Sequence, residues 1–154
     1  LHRFHQHRCW PSQLAPTSGA MGCGLPAAIA AKLHHPDRPV ICAAGDGDFL
    51  MSAPELATAV QHGVNIVVAV FDNGSYGTIR MHQERAYPGR VSGTGLANPD
   101  FKMMAESFGA AGCFVDRTKD FMPALEAALE AGRPAVIHVK QGLSDIAPGK
   151  QIKV

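Results

Sequence analysis

The stretch Val40-Ile41-Cys42-Ala43-Ala44-Gly45-Asp46-Gly47-Asp48 is answered further along the chain by Ile66-Val67-Val68-Ala69-Val70-Phe71-Asp72-Asn73-Gly74. Each is a short, almost uninterrupted apolar run that breaks into a polar, glycine-bearing cluster. Apolar runs of this length, without alternation, read as strands buried on both faces, as in a parallel sheet. An amphipathic stretch carrying Leu56, Ala59 and Val60 separates them, so the unit reads strand, helix, strand. Both clusters then fall at the carboxyl ends of parallel strands, where open α/β sheets bind their ligands. The Asp46 carboxylate and the Asn73 amide, beside glycines that bare backbone N–H groups, suit a hard cation holding a phosphate. Taken singly, both are ordinary turn residues whose side chains bond nearby backbone. Their pairing is what carries the cation reading.

Strand and helix signals alternate in both directions from this unit. Residues 24–35 form an Ala-rich helix, with Pro26 tolerable in its first turn. His34-His35-Pro36-Asp37 ends it and leads into a strand at 40–44. Ser52-Ala53-Pro54-Glu55 has the spacing of a capping box, and Gly63 stops the helix that follows. A strand is expected at 65–71. Residues 74–97, punctuated by Gly74, Gly77, Gly89, Gly93 and Gly95, read as a long loop around a short helical piece near 77–84. Asn98-Pro99 reads as a cap and first-position proline for a helix carrying Phe101, Met104, Ala105 and Phe108, closed by Gly109. A short strand at 111–115 follows. Asp120 is then expected to cap a helix over 121–131, and 135–139 is the last strand. Alternation without repeats predicts an α/β, doubly wound, mostly parallel sheet with helices on both faces. Residues 1–18 read as a linker or remnant of a preceding segment, 19–140 as the binding domain and 141–154 as a tail.

The paired clusters resemble the signature of thiamine diphosphate (ThDP) enzymes, a Gly-Asp-Gly followed some two dozen residues later by Asn-Asn. Thr17-Ser18-Gly19-Ala20-Met21-Gly22-Cys23-Gly24-Leu25-Pro26-Ala27-Ala28-Ile29 is similar to that family's stretch upstream of the motif. Tyr76-Gly77-Thr78-Ile79-Arg80-Met81-His82-Gln83-Glu84 is similar to the stretch after it in acetolactate synthase-like members. The chain thus resembles the carboxyl-terminal, diphosphate-binding domain of such an enzyme.

The resemblance implies that Asp46, Asn73 and the backbone carbonyl of Ser75 ligate Mg²⁺. Gly45, Gly47, Asp48, Ser75, Tyr76 and Gly77 would surround the diphosphate. A carboxylate beside a diphosphate is repulsive, so the Asp48 side chain is expected to point away, toward a helix N-terminus, and only its amide to bind. Met21 would wedge between the two cofactor rings, with Gly19 and Ala20 beside it and the Gly19 carbonyl accepting from the aminopyrimidine. Without the resemblance, Met21 reads as a core-filling methionine. The glutamate that activates the cofactor belongs to a separate pyrimidine-binding domain, and neither Glu55 nor Glu84 corresponds to it. No catalytic residue is therefore expected here, and the isolated chain is expected to be silent or nearly so. A complete enzyme would make or break a carbon–carbon bond beside the carbonyl of a 2-oxo acid. The alternatives are the small subunit of a two-chain 2-oxo acid decarboxylase, or a non-catalytic cofactor-binding or assembly fragment. Two departures stand out: Asp72 replaces the first Asn of the pair, and Cys23 replaces a frequent aromatic.

With 154 residues, 46% hydrophobic and 18% charged, the chain can bury one core. A net charge of +1 gives no support for nucleic-acid binding. No apolar run approaches the ~20 residues needed to span a bilayer. No leader peptide is visible, and Cys9, Cys23, Cys42 and Cys113 lack a Cys-x-x-Cys pair, so a reducing cytoplasm is expected. The start at Leu1, without Met, suggests a fragment or processed chain. His2, His5 and His7 read as a solvated tail rather than a metal cluster. His82, Glu84 and Arg85 either line a substrate pocket or form an exposed helix face. Apolar surface that would meet a second domain predicts self-association.

Overall fold

A computed structural model describes residues 5–147 and 150–151. Four strands form one parallel sheet in the order β1-β2-β4-β3: β1 is Ile41–Gly45, β2 Val67–Asp72, β3 Ala111–Val115 and β4 Ala135–Lys140. The registers Ile41 to Val67 and Val67 to Ala135 line up the two runs that fix the fold. β2 is central and buried except at Phe71, which is why its sequence is continuously apolar rather than alternating.

Helices cover the two faces unequally. On one face lie α1 (Gly24–His34), the short α2 (Asp46–Leu50), α3 (Glu55–Gln61) and α5 (Phe101–Ser107). Their Leu25, Ile29, Phe49, Leu56 and Phe101 pack on Cys42, Ala44, Val68, Val70 and Val136. Leu56 is fully buried, so truncating it to Ala would cost about 2–5 kcal/mol. On the other face α6 (Thr118–Glu130) lays Phe121, Ala124 and Leu125 over Val67, Val115 and Ile137. The doubly wound α/β reading is correct. α4 (Gly77–Ala86) buries no residue, and after β4 a small antiparallel pair forms between β5 (Asp145–Ala147) and β6 (Lys150–Gln151). The pair adds structure to a segment expected to be only a tail.

Several local expectations are corrected. Gly45-Asp46-Gly47-Asp48 is not a free loop; Asp46 is the first residue of α2. The Ser52–Glu55 capping box does not form: Pro54 precedes α3, the Ser52 hydroxyl is buried without a partner, and Glu55 accepts from Thr58 at 2.9 Å. Asp100, not Asn98, caps α5, its Oδ1 accepting from the Met103 amide at 3.0 Å. α6 begins at Thr118, and Asp120 accepts from Arg117 Nε at 2.6 Å inside the first turn instead of capping. The helical piece after Asn73 runs to Ala86, longer than expected, and Arg80–Glu84 pairs along it at 2.8 Å. Gly63 and Gly109 end their helices at φ +60° and +87°, a conformation only glycine adopts cheaply. Among the described residues no helix is long and apolar enough to cross a membrane.

Candidate functional site

A cleft of about 310 Å³ opens at the carboxyl edge of the sheet, over the ends of β1 and β2. Gly45, Asp46, Gly47 and Asp48 line it from one side, and Asn73, Ser75, Tyr76 and Gly77 from the other. The parallel register makes this meeting unavoidable, because Gly45 pairs with Phe71 and both chains turn directly after.

Asp46 is 3% exposed. Its Oδ1 accepts the Gly47 amide at 3.0 Å, and its Oδ2 accepts the Gly74 amide at 2.9 Å and the Asn98 amide at 2.7 Å. Asn73 closes a turn on itself, its Oδ1 taking the Ser75 amide at 3.0 Å. Gly74 at φ +68° makes that turn possible. The 74–76 segment is then pinned to a distant one: Ser75 Oγ and the Tyr76 amide both donate to the Thr94 carbonyl at 2.9 Å, and the Leu96 amide donates to Gly74. A Cβ on Gly77 would stand 2.9 Å from Asn73 Nδ2, so glycine there leaves the amide its place.

The Asp48 carboxylate accepts the Gly22 amide at 2.6 Å, two residues before α1 begins. Gly22, at φ +83°, reverses the chain so that Met21 faces the cleft. Met21 is 41% exposed, so it does not plug core. Gly19 and Ala20 are exposed and outside the cleft lining.

Asp72 lies behind the site, also 3% exposed. His138 Nε2 at 2.9 Å, Lys140 Nζ at 3.0 Å and Asn98 at 2.7 Å surround it. Burial pushes its carboxyl up, but those hydrogen bonds and the Lys140 charge outweigh it and bring it down to about 2. Asp72 therefore stays ionised in a place where neutral Asn was expected by resemblance. Cys42, behind Gly24 on β1, is held up to about 11 by burial and by the Asp48 and Cys23 charges, so it is an inert core thiol.

His82, Glu84 and Arg85 do not line the cleft: Glu84 pairs with Arg80, and Arg85 lies 3.1 Å from His82. His82 and Arg85 are exposed, whereas Glu84 is half-buried against Arg80. Thr78, Ile79, Phe71 and Gln141 line the cleft instead. Gln141 directly follows β4, so only the strand order, invisible in the sequence, brings it here. Asn98 was missed for the same kind of reason, lying 52 residues from Asp46. His5 and His7 are exposed, His7 bonding Ser12 at 2.9 Å, and His2 lies outside the described residues.

The donor set fits a hard cation. The lining offers the Asp46 carboxylate, the Asn73 amide and the Ser75 backbone beside Gln141 and Asp48, whose carboxylate is already engaged by Gly22, and among the described residues no cluster of three His, Cys, Asp or Glu competes for a metal. Such a set leaves coordination places for phosphate oxygens and water, which suits Mg²⁺.

Fold and site together define a parallel α/β domain with a polar, glycine-lined cleft at the carboxyl edge of its sheet. The chain belongs to the thiamine pyrophosphate enzyme family, as its C-terminal TPP (ThDP) binding domain, whose family model matches residues 1–139. It is 35% identical over 146 residues to the acetolactate synthase isozyme 2 large subunit of Escherichia coli K12, covering 87% of this chain and 27% of that protein. It is 40% identical over 131 residues to the putative thiamine pyrophosphate-containing protein YdaP of Bacillus subtilis 168, covering 84% of this chain and 22% of the relative. Among solved structures, the ThDP-dependent 4-hydroxybenzoylformate decarboxylase of Rhodococcus jostii RHA1 superposes with a TM-score of 0.78 at 36% identity, over 82% of this chain and 24% of that one. The chain therefore spans about a quarter of the length of the relatives it matches.

Proposed function

We propose that this chain is the diphosphate- and Mg²⁺-binding half of an acetolactate synthase-like ThDP site, centred on residues 19–140, whose complete enzyme acts on 2-oxo acids. The observation that carries it is the convergence of Asp46, Asn73 and Ser75 on one cleft edged by Gly45, Gly47, Gly77 and Met21. Asp46, Asn73 and the Ser75 carbonyl would hold Mg²⁺. The amides of Gly47, Asp48, Tyr76 and Gly77 would meet the diphosphate, and Met21 would wedge the rings, with Gly19 and Ala20 completing that wall. When bound, the cofactor supplies an electron sink for carbon–carbon bond chemistry, while the protein orients it.

The activating glutamate is supplied from outside, by a pyrimidine-binding domain. Glu55 is bonded to Thr58 and Glu84 to Arg80, and neither reaches the cleft. The chain alone is accordingly silent, and turnover requires that partner.

Calorimetric titration of ThDP into the chain, in Mg²⁺ and then in EDTA, tests this beside Asp46→Ala. Binding that needs Mg²⁺ and is lost in the variant is expected. No binding at millimolar cofactor, either alone or after mixing with a pyrimidine-binding domain, would overturn the proposal.

A further inference from the structure

Behind the cleft wall one side chain joins two carboxylates that are 26 positions apart in sequence. Asn98 Nδ2 lies 2.7 Å from Asp46 Oδ2 and 2.7 Å from Asp72 Oδ1. The Gly74 amide lies 2.9 and 3.0 Å from the same two oxygens. The oxygens thus face each other across two shared nitrogens. Both residues are buried, where water screens repulsion poorly. An Asn amide nitrogen carries two N–H groups, one for each carboxylate.

The cost of this arrangement is visible. The Asn98 carbonyl oxygen is buried with no partner among the described residues. An orphaned buried acceptor is unfavourable. Flipping the amide would set that oxygen against two carboxylate oxygens, which is worse, so the carboxylates dictate the orientation. Charge compensation is also one-sided. Asp72 has the Lys140 charge and a hydrogen bond with His138, whereas among the described residues Asp46 has no ion pair. With Oδ2 occupied by Gly74 and Asn98, the Asp46 oxygen with spare acceptor capacity is Oδ1, which takes only the Gly47 amide.

We infer that Asn98 is a positioning residue for the cation-holding Asp46: its amide clamps Asp46 and Asp72 side by side and turns the spare oxygen of Asp46 to the cleft. The inference rests on the half-site reading of Asp46 and adds a residue outside the ligand set, reaching the cation only through Asp46. Partners of this kind typically change metal affinity by 10–100-fold when removed.

The test compares Asn98→Ala, Asp72→Asn and the double variant in the 154-residue chain, with two readouts. Without ligand, thermal unfolding of Asn98→Ala is expected to fall by about 5 °C. Asp72→Asn is expected to cost clearly less in the Asn98→Ala background than alone, because it removes the opposed carboxylate and brings a new amide donor beside Asp46. Strictly additive losses would overturn the clamp, since a mere packing role predicts them. Asn98→Ser, which keeps one donor, replaces Asn98→Ala if the latter does not fold, and an intermediate loss is expected. In a fixed excess of ThDP, the apparent Mg²⁺ affinity should fall at least ~10-fold in Asn98→Ala and recover in part in the double variant. Unchanged Mg²⁺ affinity would overturn the positioning role. If the unmodified chain takes up no Mg²⁺ with ThDP, either alone or mixed with a pyrimidine-binding domain, the half-site reading fails by itself, and the thermal cycle still decides whether the clamp exists.

Discussion

Gly47 shows how tightly single residues are specified around the cleft. A Cβ built there would run into the Tyr76 ring and stand 3.2 Å from Leu96 Cδ1. Gly47→Ala must therefore push the ring off its seat toward the cleft, and overpacking of this kind costs about 1–3 kcal/mol. A drop in melting temperature of several degrees is expected, together with at least a ~10-fold loss of ThDP affinity. Adding Tyr76→Ala should abolish the melting penalty; a double variant that melts below both singles would show that the collision is not the cause. Sequence alone marked Gly47 as a place for close backbone approach, but the aromatic ring that forbids a side chain comes from 29 positions away. Asn98 was illegible for a sharper reason. Its local context, Asn-Pro before an apolar helix, is a capping signal, and only the fold reveals two buried carboxylates competing for its donors. Asp46 and Asn73 were legible because each follows its strand directly, so topology alone brings them together.

At the scale of elements, caps divide what is written locally from what packing decides. Strands β1 to β4 fall within two residues of their expected ends, because an unbroken apolar run can only be a buried strand here. Helix starts were less readable, since a capping motif is satisfied only when the chain enters at the right angle. Asp100 is the working cap of α5, so Asp100→Ala is expected to cost about 1 kcal/mol, or roughly 3 °C in melting temperature. Ser52 has the right spacing but makes no cap bond, and its hydroxyl is buried without a partner. Ser52→Ala should consequently be neutral or slightly stabilising. Thermal melts of the two variants decide both points at once: a loss of more than about 1 kcal/mol at Ser52 would restore the capping box, by the usual value of such a cap.

The whole molecule is lopsided. Among the described residues one face of the sheet carries four helices and the other only α6, which packs on β2, β3 and β4. The β1 side of that second face therefore keeps apolar residues in solvent: Ile41, at the amino end of β1, is 51% exposed, and Phe71, at the cleft, 36%. β1 is also an edge strand, with parallel pairing on one side only. An apolar face beside an unpaired edge is the combination that most readily recruits another chain. The relatives are about four times longer than the stretch they share with this chain. The isolated chain is expected to self-associate reversibly through the β1 edge and the face beside it, with an apparent mass by light scattering that rises with concentration. Ile41→Lys places a charge on both the face and the edge, and should return the chain to a monomer while leaving its circular dichroism unchanged. A wild-type chain that stays monomeric at about 100 μM, a concentration at which even weak interfaces of micromolar Kd would fill, would overturn the expectation. Self-association that Ile41→Lys leaves intact would instead move the contact to another surface. If a pyrimidine-binding domain is the natural occupant, adding it should dissolve the self-associated species as it restores turnover, so both readouts must change together over one titration.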